Sequence, residues 1–123
     1  MKILVVEDQR TVRKLLSQNL QVLGFSHIKE AENGKAALEL LRAEPFDLVI
    51  SDMEMPELGG LELLKEIRHD RQLRHLKVLM VTVVDQKDRI LEAIEAGVNG
   101  YIVKPFSIEG LRDKLSKLGI KAG

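Results

Sequence analysis

The sequence predicts an α/β fold: one doubly wound sheet of five parallel strands with helices on both faces. Two observations carry that expectation. Short apolar, β-branched runs recur along the chain, and between them apolar residues fall at helical intervals. The two patterns alternate strictly, five strands with five helices, as expected of parallel βαβ units joined by right-handed crossovers.

The first strand is KILVVE, Lys2 to Glu7, whose nearly continuous apolar run suits a strand covered on both faces. From Thr11 the spacing changes: Val12, Leu15, Leu16, Leu20 and Leu23 mark a helix, and Gly24 supplies a stop. HIKEA, His27 to Ala31, is a more polar strand and suggests a sheet edge. Asn33 and Gly34 turn into a second helix carrying Ala37, Leu38 and Leu41. FDLVISD follows as the third strand, then a helix from about Leu61 to Arg68, a strand from Lys77 to Thr82, and a helix DRILEAIEAG ending at Gly97. The strand Gly100 to Lys104 and a helix from about Ile108 to Leu118 complete the set, and Gly119 to Gly123 reads as a frayed tail.

The 123 residues, 45% hydrophobic, fit a single domain spanning 1–123. Any partner domain is expected to be a separate molecule, and the Met1 start and short tail suggest a complete unit. Nineteen basic residues balance nineteen acidic ones, so the strongly basic footprint of a nucleic-acid binder is missing. The chain has no Cys, which excludes disulfide and thiolate chemistry and is compatible with a reducing cytoplasm. Its longest apolar runs, ILVV and VLMVTVV, fall far short of the roughly 20 residues of a membrane helix. The expectation is a soluble cytoplasmic protein with neither a nucleic-acid nor a membrane partner.

In an open parallel sheet, ligands bind beyond the carboxyl ends of the strands, where strand order reverses. With the order 2-1-3-4-5, strands one, three, four and five are neighbours. They exit on Glu7 and Asp8, Asp52, Thr82 and Lys104, which gathers three carboxylates, a hydroxyl and an ammonium in one cleft. Singly, each has an ordinary explanation: Asp8 could cap the first helix, Glu7 could be a solvated charge, Asp52 could stabilise a turn, and Lys104 could be a surface lysine. Placed together at adjacent exits they point to chemistry. Crowded carboxylates repel unless a cation neutralises them, and hard oxygen ligands without His or Cys suit Mg²⁺. A carboxylate beside a metal can take a phosphoryl group as an aspartyl phosphate, with a hydroxyl and an ammonium holding the other phosphoryl oxygens. Asp52 is the candidate nucleophile, because its strand is central and the MEMPELGG loop after it leaves room for a donor.

These residues resemble the receiver domain of two-component response regulators. The pair Glu7 and Asp8 after ILVV, the SDMEMP segment around Asp52, Thr82 closing VLMVT, and the KPF of Lys104, Pro105 and Phe106 match that family's pattern in order and spacing, over about Lys2 to Leu118. LGF, GLELLKEIR, VLMVT and GYIVKPF are particularly similar to the family's chemotaxis regulators. The resemblance implies a flavodoxin-like (βα)5 fold and a stand-alone receiver without an output domain, not a turnover enzyme. It implies Asp52 as phosphoacceptor from a histidine kinase, with Mg²⁺ on Asp8, Asp52 and the backbone carbonyl of Glu54, and Glu7 acting through water. It further implies that Lys104 pairs with the phosphoryl group, that Lys104 to Pro105 is a candidate cis bond, and that capture by Thr82 is coupled to inward rotation of Tyr101. A monomer would then offer its fourth helix, fifth strand and fifth helix to a downstream protein.

Four positions depart from the family pattern. Glu54 stands where Asn is common and Val83 where a small residue is usual, while Val84 and Met53 stand where the family's chemotaxis regulators have a polar residue and a Trp. They bear on phosphorylation lifetime and on the output partner, and leave the acceptor chemistry intact. Three other readings remain: a Mg²⁺-dependent phosphohydrolase with an Asp nucleophile, which would use the same ingredients, a degenerate receiver acting as a constitutive interaction module, and a flavin-binding electron carrier, which shares the sheet. The hydrolase motif would place its nucleophile on the first strand with a second Asp two residues later, where here Glu54 follows Asp52 on the third. The acidic EDQRT exit is unlike the phosphate-cradling loop of a flavin site.

Overall fold

The computed structural model describes residues 1–83 and 87–122. In chain order they form β1 (Lys2–Val6), α1 (Arg10–Val22), β2 (His27–Ala31), α2 (Gly34–Ala43), β3 (Leu48–Asp52), α3 (Gly60–His69), β4 (Lys77–Val83), α4 (Lys87–Glu95), β5 (Gly100–Lys104) and α5 (Ile108–Lys117). The sheet runs β2-β1-β3-β4-β5 with every pair parallel. Polar HIKEA is indeed an edge, and β3 lies in the centre.

Alternation along the strands divides the core into two layers. Leu4, Val6, Val49, Val78 and Met80 face α2, α3 and α4, where Leu38, Leu61, Leu64, Ile67 and Ala93 cover them. Ile3, Val5, Leu48, Ile50, Leu79 and Ile102 face α1 and α5 through Leu16, Leu20, Leu111 and Leu115. Burying each such side chain stabilises the fold by about 1.5–3 kcal/mol, so both strand faces are committed and the register cannot slip by one residue. Among the described residues no helix is long and apolar enough to cross a membrane.

Close backbone approaches fix the loop after β3. The Gly60 amide donates to the Met53 carbonyl at 2.9 Å, and a Cβ on Gly60 would lie 2.2 Å from the Asp52 carbonyl oxygen. The first residue of α3 therefore rests on the end of β3, which only glycine allows. Within the same loop Glu57 adopts a left-handed backbone with φ of 68°.

Two expectations need correction. Asp8 does not cap the first helix: Gln9 occupies that position, with no side-chain capping bond. Nor is the tail frayed from Gly119, because Ile120 is buried among the α1 and α5 side chains and its amide donates to the Leu115 carbonyl. The apolar contact outweighs the ordering of a few terminal residues.

Candidate functional site

The carboxyl ends of β1, β3, β4 and β5 meet as the topology requires. The pairings Asp52 with Val81, Thr82 with Val103 and Val83 with Lys104 bring three exits level. Asp52, Met53, Glu54, Thr82, Val83 and Lys104 line a cleft of about 160 Å³. Carboxylate oxygens of Glu7, Asp8 and Asp52 lie within 4.8 Å of one another. Lys104 Nζ is 3.0 Å from Asp52 Oδ1 and 3.7 Å from Glu7 Oε1.

Burial makes this crowding costly. Glu7 is 4% exposed, so it is not the solvated charge its type suggests. Burial first, and then a hydrogen bond with Asp8, lift its pKa from 4.5 to about 7, against the lowering effect of the Gln9 amide, which donates to Glu7 Oε2 at 3.2 Å. Asp52 is 9% exposed and its pKa is also raised, by burial foremost and by the Asp8 charge, although Lys104 opposes both. Burial alone would lower the Lys104 pKa; the hydrogen bond and charge of Asp52, with Glu7 added, raise it instead. One ammonium thus balances part of a three-carboxylate cluster. A hard divalent cation fits the remainder, since the donors are all carboxylate oxygens.

Thr82 is buried beside this cluster, and among the described residues its hydroxyl has only distant partners, Met53 Sδ at 4.0 Å and the Val83 carbonyl at 3.4 Å. Tyr101 lies outside the cleft on β5: it is half-buried, and Lys114 Nζ of α5 stands 5.3 Å from its ring centroid. The Lys104–Pro105 bond is cis. Met53 is buried, with its Sδ 4.0 Å from the Thr82 hydroxyl, Val83 lines the cleft, and Val84 lies outside the described residues.

Sequence reasoning missed two arginines. Arg13 Nη1 donates to the Glu7 carbonyl at 2.8 Å and fixes the β1 exit. Arg89, in the first turn of α4, places Nε 3.2 Å from Glu54 Oε1 and Nη2 3.9 Å from Glu62 Oε1. Neither is marked by a local motif, because each contact joins separate elements.

The sequence profile of the response regulator receiver domain matches residues 3–116. This chain belongs to the response regulator receiver family. The receiver is 48% identical over 118 residues to chemotaxis protein CheY-3 of Vibrio cholerae, covering 96% of this chain and 91% of that protein. It is 45% identical to chemotaxis protein CheY of Pseudomonas aeruginosa, covering 96% and 95%. Among solved structures it is similar to CheY4 of Vibrio cholerae, with 33% identity, a TM-score of 0.87 and coverage of 94% and 96%. It also resembles the signal receiver domain of a histidine kinase from Syntrophus aciditrophicus, at 29% identity, TM-score 0.88 and coverage of 99% and 93%. The receiver is a CheY-like signalling domain of two-component systems.

Proposed function

We propose that this receiver accepts a phosphoryl group on Asp52 from a histidine kinase and signals by changing its affinity for a downstream protein in the cytoplasm, in a chemotaxis-type pathway. The observation that carries the reading is the position of Asp52: at the end of the central strand, 3.0 Å from the Lys104 ammonium and clustered with Glu7 and Asp8. Asp8, Asp52 and the Glu54 carbonyl would hold Mg²⁺, with Glu7 reaching it through water. When bound, the ion neutralises carboxylate charge and phosphoryl oxygens.

An Asp52 carboxylate oxygen forms the new bond to phosphorus as the bond from phosphorus to the donor atom breaks, and the donor leaves with that electron pair. Lys104 shifts its charge from the carboxylate to a phosphoryl oxygen, and Thr82, whose hydroxyl has no close partner among the described residues, donates to another. Movement of Thr82 favours an inward Tyr101 and so a different α4, β5 and α5 face. That is a population shift between conformations that a partner tells apart. Exposed Leu91 and Ile94 on α4 supply apolar contact area on this face.

Intact-protein mass after incubation with acetyl phosphate tests the reading. One Mg²⁺-dependent phosphoryl adduct per chain, absent in Asp52→Asn, is the expected result. A folded, Mg²⁺-binding chain that gains no adduct would refute it and favour a constitutive interaction module.

A further inference from the structure

The exposed Glu54 carboxylate stands in the wall of the acceptor cleft, and it is not free. Arg89 Nε lies 3.2 Å from Glu54 Oε1, and the same guanidinium lies 3.9 Å from Glu62 Oε1 in the first turn of α3. The Glu54 side chain is 59% exposed, whereas Arg89 Nε is buried and, among the described residues, has no hydrogen-bond partner, so its contact with Glu54 is an ion pair. We propose that Arg89 is a positioning residue for phosphoryl capture: by holding Glu54 against α4 and compensating its charge, it keeps the cleft mouth open to anionic phosphodonors. This rests on Asp52 being the phosphoacceptor.

The chemistry gives the effect its sign. Acetyl phosphate is a dianion near neutral pH, and it must pass Glu54 before an Asp52 oxygen bonds to its phosphorus and acetate departs with the electrons of the broken P–O bond. Without Arg89, Glu54 and Glu62 leave two uncompensated charges where the donor enters. Glu54, attached at the end of β3, is then free to turn toward the cleft it lines. Exposed charge pairs are modest in strength, and their effect falls with added salt over a screening length of about 10 Å at 0.1 M. The expected change is therefore about two- to fivefold in rate and sensitive to ionic strength.

The test is a double-mutant cycle on the second-order rate of adduct formation, with R89Q, E54Q and the double variant, at low and high salt. R89Q is expected to slow acetyl phosphate about two- to fivefold in the native background and by less than about 1.5-fold in E54Q. R89K should recover most of the rate. Phosphoramidate, with one fewer net negative charge at neutral pH, should respond less than acetyl phosphate. A loss that is equal in both backgrounds, equal for both donors, or unchanged by salt would overturn the assignment of Arg89 while the functional reading stands. A native chain that takes no adduct on Asp52 overturns both.

Discussion

Replacing Glu7 by Gln is expected to stabilise the Mg²⁺-free protein by an amount set by pH. Burial and the Asp8 hydrogen bond raise the Glu7 pKa from 4.5 to about 7 in the folded state. The unfolded chain releases this proton near the ordinary carboxylate value, while the folded protein retains it until near neutrality. The contribution of Glu7 to stability is therefore greatest at low pH, falls as pH rises between those two values, and stays low above them. Each tenfold change in proton affinity is worth about 1.4 kcal/mol, so the deficit approaches about 3 kcal/mol at pH 8 and is under about 1 kcal/mol at pH 5. Gln preserves the side-chain shape and an acceptor for the Gln9 amide, which lies 3.2 Å from Glu7 Oε2, but carries no charge to bury. Urea unfolding in EDTA measures the difference. With a slope of about 1–3 kcal/mol per molar, the E7Q midpoint should exceed the native one by about 1–3 M at pH 8 and by a small fraction of that at pH 5. Equal stability at pH 8, or a gain independent of pH, would show that the carboxylate cluster is not under electrostatic stress.

Three further outcomes are expected. Because Glu7 holds its proton to about pH 7, Mg²⁺ affinity measured by titration calorimetry should rise with pH through that value and level off above it; a flat profile would argue against Glu7 taking part. Gly60→Ala forces a Cβ to within 2.2 Å of the Asp52 carbonyl, so it should cost about 1–3 kcal/mol or more in urea unfolding and slow adduct formation on Asp52. Unchanged values for both would mean that α3 does not rest on the acceptor strand. Glu57→Gly relieves a left-handed backbone, φ 68°, at about 1–2 kcal/mol, and gives back about 0.5–1 kcal/mol through greater freedom of the unfolded chain. Its unfolding midpoint should rise slightly, and a fall would show that the Glu57 side chain contributes more than its backbone costs.

The five polar residues at four strand exits were legible in the sequence because each exit ends a patterned run, and parallel pairing leaves such exits side by side. β5 ran from Gly100 to Lys104 as expected, whereas β3 begins at Leu48 and not at Phe46. Phe46 is buried, but it lies before the strand, where the Asp47 amide already bonds to the Lys2 carbonyl; an apolar residue signals burial without fixing its backbone. The depth of Glu7 was not legible, since isolated carboxylates are ordinarily solvated. Nor was Arg89, whose two partners lie 35 and 27 positions earlier in the chain, on other elements. Ile120 escaped notice because a lone apolar residue between Gly119 and Lys121 has no periodicity to betray it.

The place of β3 in the middle of the sheet has a mechanical consequence. Its backbone is laced to β1 on one side and β4 on the other, and the lacing continues one residue beyond the strand, where the Met53 amide donates to the Val81 carbonyl at 2.9 Å. Strand β5, which carries Tyr101 and Lys104, is tied to β4 alone. Stiffness therefore falls from the centre of the sheet toward that edge. A phosphoryl group on Asp52, as proposed, would meet an anchored seat, and the strain it created would pass outward to the margin paired on one side alone.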